Sequence, residues 1–122
     1  MFGILGLMGL KIASSRAAAD ADRRSTAAMY AHDILERARA NPTRAANGEY
    51  NVSAGAALPS PATTIAEIDL TQWLQRIGDN LPSGTATFSV VGENATVTIQ
   101  WLERAPQSSA GQIVTFSFTS RL

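Results

Sequence analysis

The arrangement of hydrophobic and polar positions changes character along the chain, and each change predicts an element. Met1 to Leu10 carries no polar side chain, and Lys11 is the first charge. From there to Ala40 the chain is alanine-rich and free of proline. An apolar stripe recurs at helical spacing: Ala27, Ala28, Ala31, Ile34, Leu35 and Ala38. Asp20, Arg24, Asp33 and Arg37 take the opposite side, where Asp20–Arg24 and Asp33–Arg37 are acid-before-base pairs at i, i+4. One long helix over 1–40 is therefore predicted, apolar all round over 1–13 and amphipathic over 14–40. It stops where Asn41-Pro42 disfavours further α geometry.

The last third of the chain alternates with period two. Ala86, Phe88 and Val90 interleave with Thr85, Thr87 and Ser89. After Gly92-Glu93-Asn94, the apolar set Ala95, Val97, Ile99 and Trp101 interleaves with Thr96, Thr98 and Gln100. A Pro/Ser/Gly-containing loop follows, then Val114, Phe116 and Phe118 interleave with Thr115, Ser117 and Thr119. Such runs on short connections predict an antiparallel meander with one wet and one buried face.

Between these regions, 41–66 reads as an irregular connection, punctuated by Gly48, Gly55, Pro59 and Pro61. Within it, Gly48-Glu49-Tyr50-Asn51-Val52 is a candidate short strand. Asp69 and Gln72 look like a capping pair opening a second helix, with Leu70, Trp73, Leu74 and Ile77 on its apolar face and Gly78 at its end. Pro82-Ser83-Gly84 makes the next turn. A small sheet needs a cover for its apolar face, and the amphipathic half of the first helix supplies one. The expected fold class is α+β: a long N-terminal helix packed on a small antiparallel sheet of about three to four strands. Residues 67–122 form one domain with 14–40. The expected helix-on-sheet core is Ala27, Ala31, Ile34, Leu35, Ala38, Phe88, Val97, Ile99, Trp101, Phe116 and Phe118.

Composition narrows the function classes. A chain of 122 residues suits one domain with a modest core. Ten Lys+Arg balance ten Asp+Glu, whereas nucleic-acid binders usually carry a basic surplus to neutralise phosphates. No cysteine is present, which excludes disulfides, thiolate metal sites and cysteine nucleophiles. Met1–Leu10 is about half the length of a membrane-spanning helix, and the charge order of a secretory signal is missing.

Candidate chemistry is sparse. His32 is the only histidine, so neither a triad nor a histidine metal site has partners, and it reads as a solvated or interfacial side chain. Glu67 and Asp69 flank a helix start, where negative charge meets the helix dipole favourably. Gly3, Gly6 and Gly9 recur within an apolar helix with no strand before them and so cannot form a phosphate cradle. They either let neighbouring helices approach closely or merely loosen the helix. Arg16, Arg23 and Arg24 either meet lipid phosphates or acidic neighbours, or form a solvated face offset by Asp20 and Asp22. Asn51-Val52-Ser53 and Asn94-Ala95-Thr96 match a glycosylation pattern too short to carry weight. The Thr/Ser rows are ordinary exposed strand residues.

At the level of families, Gly3-Ile4-Leu5-Gly6-Leu7-Met8-Gly9-Leu10 resembles the later half of the transmembrane helix in minor type IV pilins of the PilV kind. The likeness continues through Ala28-Met29-Tyr30-Ala31-His32-Asp33-Ile34-Leu35-Glu36-Arg37-Ala38-Arg39-Ala40-Asn41-Pro42 and Gly48-Glu49-Tyr50-Asn51. Farther on, Leu70-Thr71-Gln72-Trp73, Leu81-Pro82-Ser83-Gly84 and Val97-Thr98-Ile99-Gln100-Trp101 resemble its short helix, its turn and its Trp-ended strand.

The resemblance implies a pilin-like fold and a structural role. A minor pilin is released laterally from the bacterial inner membrane, where it is a single-pass protein with a periplasmic domain, and joins the complex that primes the filament and sits at its tip. Its partners are other minor pilins, the major pilin and a tip adhesin. Phe2, Gly3, Ile4, Leu5, Gly6, Leu7, Met8, Gly9 and Leu10 pack among other pilin helices or in lipid. No catalytic residue, cofactor, metal, nucleic acid or small-molecule substrate is implied. The resemblance also implies that a leader, its peptidase site and the start of the mature helix precede Met1. The family's glutamate near the mature N-terminus, and the disulfide that closes a C-terminal loop in many pilins, have no counterpart here. A minor pseudopilin of a type II secretion system shares the architecture, although Arg37-Ala38-Arg39-Ala40-Asn41-Pro42 favours the PilV kind. A membrane-tethered binding module using the Thr/Ser face is a further alternative. An enzyme has no constellation behind it.

Overall fold

A helix of 39 residues, α1 (Phe2–Ala40), opens the chain; at 1.5 Å per residue it is about 58 Å long. The computed structural model describes the backbone of residues 2–104 and 111–122, and the side chains of 21–103 and 111–122. After α1 come α2 (Pro42–Ala46), α3 (Ile65–Asn80), β1 (Thr85–Val91), β2 (Asn94–Arg104) and β3 (Gly111–Arg121). The three strands form one antiparallel sheet in the order β1-β2-β3. The fold class is α+β, with helices on one face of the sheet.

Elementary backbone chemistry explains where each element stops. α1 ends at Ala40, and Pro42 occupies the first turn of α2, where a missing N–H costs nothing. The β1–β2 hairpin turns on Gly92 and Glu93, with Val91 opposite Asn94. Gly92 has φ +61 and Glu93 does not share the positive region, which is the geometry of a II′ turn. Gly84 is demanded by close packing at the start of β1. A Cβ there would lie 2.7 Å from the Ile77 carbonyl oxygen and 3.0 Å from Leu81 Cβ.

Four expectations need correction. The second helix begins at Ile65 rather than near Asp69, because Thr64 and Glu67 form a reciprocal capping box. The Thr64 hydroxyl accepts from Glu67 N–H at 3.1 Å, and Glu67 Oε2 accepts from Thr64 N–H at 3.1 Å and Thr63 N–H at 2.8 Å. The same helix runs through Gly78 to Asn80, since Gly78 keeps ordinary helical dihedrals. The connection 41–66 is not wholly irregular, because α2 lies at its head. Finally, Gly48–Val52 is not a strand. Residues 47–50 form a turn, and Val52 alone bridges Phe88, with N···O distances of 2.9 and 3.1 Å.

The core lies between the sheet and the helices. α1 rests on β2 and β3, whereas α3 rests on β1 and α1. Ala27, Ala31, Ile34, Leu35 and Ala38 from α1 are buried with Leu70, Trp73 and Ile77 from α3 and Phe88, Val97, Ile99 and Trp101 from the sheet. Tyr30, Tyr50 and Leu81 join them. Ala28, by contrast, sits at the margin of the stripe and is only partly buried. Val114, Phe116 and Phe118 pack against this core but stay partly exposed, because they belong to the edge strand that α1 covers incompletely. Phe116 and Phe118 are thus the two expected core residues that the helices leave half covered.

Candidate interaction surface

Four regions differ in chemistry from the rest of the molecule: the front of α1, the clasp that ties the connection to the helices, the hollow at the C-terminal end of α1, and the outer margin of β3. Phe2 to Leu10 lie on the backbone of α1, but their side chains fall outside the described residues, as do Lys11, Arg16 and Asp20. Among the described residues no helix is long and apolar enough to cross a membrane. The later half of α1 divides cleanly by face. Ala27, Ala31, Ile34, Leu35 and Ala38 face the sheet, while Ser25, Met29, His32, Glu36 and Arg39 form an exposed stripe. Met29 is 59% exposed. The His32 ring stands over Phe118 at 5.0 Å between centroids, tilted by 56°, so the lone histidine is an interfacial side chain beside the edge of the sheet.

The clasp is the most organised polar feature. Arg37 Nε donates to Asp33 Oδ1 at 3.2 Å, one turn back on the same helix. Its Nη1 donates to Asp69 Oδ1 at 2.9 Å and Gln72 Oε1 at 3.1 Å, both on α3. Tyr50, buried in the connection, donates its hydroxyl to Asp69 Oδ2 at 2.6 Å and accepts from Asn41 Nδ2 at 3.1 Å. One carboxylate therefore receives donors from α1 and from the connection, joining three segments far apart in sequence. Burial works against the charge of Arg37, but the hydrogen bonds and charges of Asp33 and Asp69 outweigh it and raise its pKa. Glu67 is shifted the other way: the N–H groups of Thr63 and Thr64 hold its carboxyl below the usual value.

Burial, and then the hydrogen bond and charge of Asp69, push the Tyr50 phenol from 10.0 up to about 12. The fold favours the neutral phenol, so the stability it lends is complete below the ordinary value and is lost as pH rises from 10 towards 12. The chain has two tyrosines. Spectrophotometric titration of phenolate should resolve one that ionises near pH 12, and Tyr50→Phe should abolish that component. Ionisation of both tyrosines by about pH 10.5 would show that Tyr50 is not held in the clasp.

The hollow has a volume of about 520 Å³ and is lined by Arg39, Pro42, Ala46, Glu93, Arg121 and Leu122. Its cations are already engaged. Arg39 donates to Glu36 at 2.9 Å and to the Arg121 carbonyl oxygen at 2.7 Å, and Arg121 pairs with Glu93. Among the described residues no group of three His, Cys, Asp or Glu side chains is placed to hold a metal ion.

The margin of β3 is different in kind. On its core side Phe116 and Phe118 are half-buried, and on its wet side Ile113 is 66% exposed. Thr96–Thr119 and Thr98–Ser117 hydroxyl contacts at 3.2 and 3.3 Å cross the wet face from β2. The expected core residues are therefore brought together, with the β3 pair at their margin, whereas sequence patterning did not indicate the clasp. Only its local Asp33–Arg37 pair was visible at i, i+4. Comparisons of the chain with protein-family models, with curated proteins and with solved structures find no match.

Proposed function

We infer that this chain is a structural subunit of the minor type IV pilin kind, which works by assembly. The apolar front of its helix packs among other pilin helices or in the inner membrane. The α+β domain is carried beyond the membrane and offered to neighbouring minor pilins, the major pilin and a tip adhesin. The observation that supports this most directly is the division of labour along one unbroken helix. α1 runs from Phe2 to Ala40, yet its buried positions among the described side chains begin only at Ala27. Ahead of the amphipathic stretch stands the wholly apolar Phe2–Leu10, a surface that favours transfer out of water. The family-like segments identified in the sequence give this helix its pilin reading.

Because the chain has no cysteine, single-cysteine variants report position cleanly. Leu5→Cys and Leu7→Cys, produced in piliated cells and treated with a thiol cross-linker, should be recovered with the membrane or sheared-pilus fraction, joined to cysteine-bearing pilin helices. Recovery only in the soluble fraction, without cross-linked species, would refute the assembly reading.

A further inference from the structure

The two outer edges of the sheet are treated differently. At β1 the later half of the edge is covered: Val52 exchanges both main-chain hydrogen bonds with Phe88, and the Asn51 side chain accepts from Val90 N–H at 3.0 Å. At β3, among the described residues, no main-chain bond reaches the outer edge. The usual guards are also missing. From Gly111 to Ser120 the strand has no charged side chain and no proline. Only its far end is blocked, where Arg39 caps the Arg121 carbonyl oxygen.

Alternation shows which groups face outward. Leu122 N–H bonds Glu93 O on the β2 side, so the N–H and C=O of Thr119, Ser117 and Thr115 point away from the sheet. These residues are the centre of a palindrome, Thr115-Phe116-Ser117-Phe118-Thr119.

We propose that β3 pairs antiparallel with β3 of a second copy of this chain, about a two-fold axis through Ser117, to form one continuous sheet. A two-fold interface must be self-complementary, and a palindrome centred on an outward-facing residue satisfies this at every central position. Ser117 lies opposite Ser117 of the second copy, and Thr115 opposite its Thr119, each pair exchanging both main-chain bonds. Phe116 then falls opposite Phe118 at non-hydrogen-bonded positions, where cross-strand side chains approach most closely. These are two of the three apolar core-facing side chains of β3 that stay partly exposed, so pairing gives them the cover they lack. His32 flanks the same margin from the helix, its ring beside Phe118. No charge opposes a like charge across the central five residues. The pairing concerns the domain alone and stands independently of what the front of α1 does.

The test uses charge reversal at the axis. In a mild detergent, the full chain should show a concentration-dependent dimer by sedimentation equilibrium. Ser117→Lys and Ser117→Glu each place like charges face to face and should shift the dimer at least about tenfold towards monomer, a change of about 1.4 kcal/mol. Their far-UV spectra should stay unchanged, because Ser117 is exposed, and their melting temperatures should match the wild type at dilutions where all three are monomeric. Mixing the two variants should restore a dimer containing one of each. A dimer that persists unaltered in Ser117→Lys, as association through the apolar front of α1 would give, overturns the proposal. A wild-type chain that stays monomeric at high concentration, or variants that do not recombine, does the same.

Discussion

Replacing Trp73 with alanine lowers the stability of the domain by about 3–5 kcal/mol, the largest loss expected from any single substitution. Trp73 is fully buried and stands where α3, α1 and the sheet converge. Truncation removes one of the two tryptophans buried in the core and leaves a cavity that its neighbours can close only in part. It also removes a polar tie, because the indole Nε1 donates to the Tyr30 carbonyl oxygen at 2.8 Å. Domains of this size are stable by roughly 5–15 kcal/mol in total, so Trp73→Ala should fall at or near the threshold of folding at 37 °C. Trp73→Phe separates the two contributions by retaining most of the apolar volume and losing the hydrogen bond, with an expected cost of about 1–2 kcal/mol. Urea unfolding followed by circular dichroism measures both. A loss below about 1 kcal/mol for Trp73→Ala would mean that α3 does not pack as described.

The second large effect is expected at Asp69. Its side chain is 13% exposed and receives Arg37 and Tyr50 on separate oxygens. Asp69→Ala leaves the buried Tyr50 hydroxyl without an acceptor for its proton and removes the inter-helix partner of Arg37. Arg37 keeps Asp33 and Gln72, which limits the damage, so about 2–4 kcal/mol is expected. The carboxylate is needed as well as the shape: Asp69→Asn turns an amide donor towards one of two donors and should cost nearly as much. A double-mutant cycle between Asp69→Ala and Tyr50→Phe should show coupling of about 1–3 kcal/mol, because the second change removes the orphaned group that the first creates. Strict additivity would place the two side chains in separate interactions.

These two residues also mark the limit of what the linear chain reveals. The strands were legible because period-two alternation survives in all of them, and the helix stripe because five of its six members are buried. Trp73 was legible as apolar-face material, but its bond to Tyr30 joins residues 43 apart, and periodicity holds no such information. Asp69 was read as a cap because a carboxylate before an apolar run is a common cap. The stronger signal, Thr64 with Glu67 at the capping-box spacing, lay five residues earlier in a stretch read as loop. The acid thus freed turns inward to Arg37 and Tyr50. Patterning assigned Phe116 and Phe118 to the correct face, but a face does not say how much of it is covered. Coverage depends on two helices lying over three strands, and α1 leaves the β3 margin partly open. Of the two surfaces proposed for assembly, the apolar front of α1 is read from the sequence alone, and the β3 edge was considered only once its unguarded side was known.

In the function we propose, one helix serves two surroundings, roofing the sheet with its later part while its front enters lipid or other helices. Spin-label accessibility along α1, with single cysteines placed one at a time on the full chain in lipid vesicles, measures this directly. Labels at Phe2, Leu5, Leu7 and Leu10 should collide freely with oxygen and hardly with a water-soluble nickel complex. Labels from Ser25 to Arg39 should rise and fall in nickel accessibility with the helical repeat, with maxima at Met29, His32 and Glu36. Labels at Leu5 and Leu7 that meet the nickel complex as freely as Met29 does would contradict it.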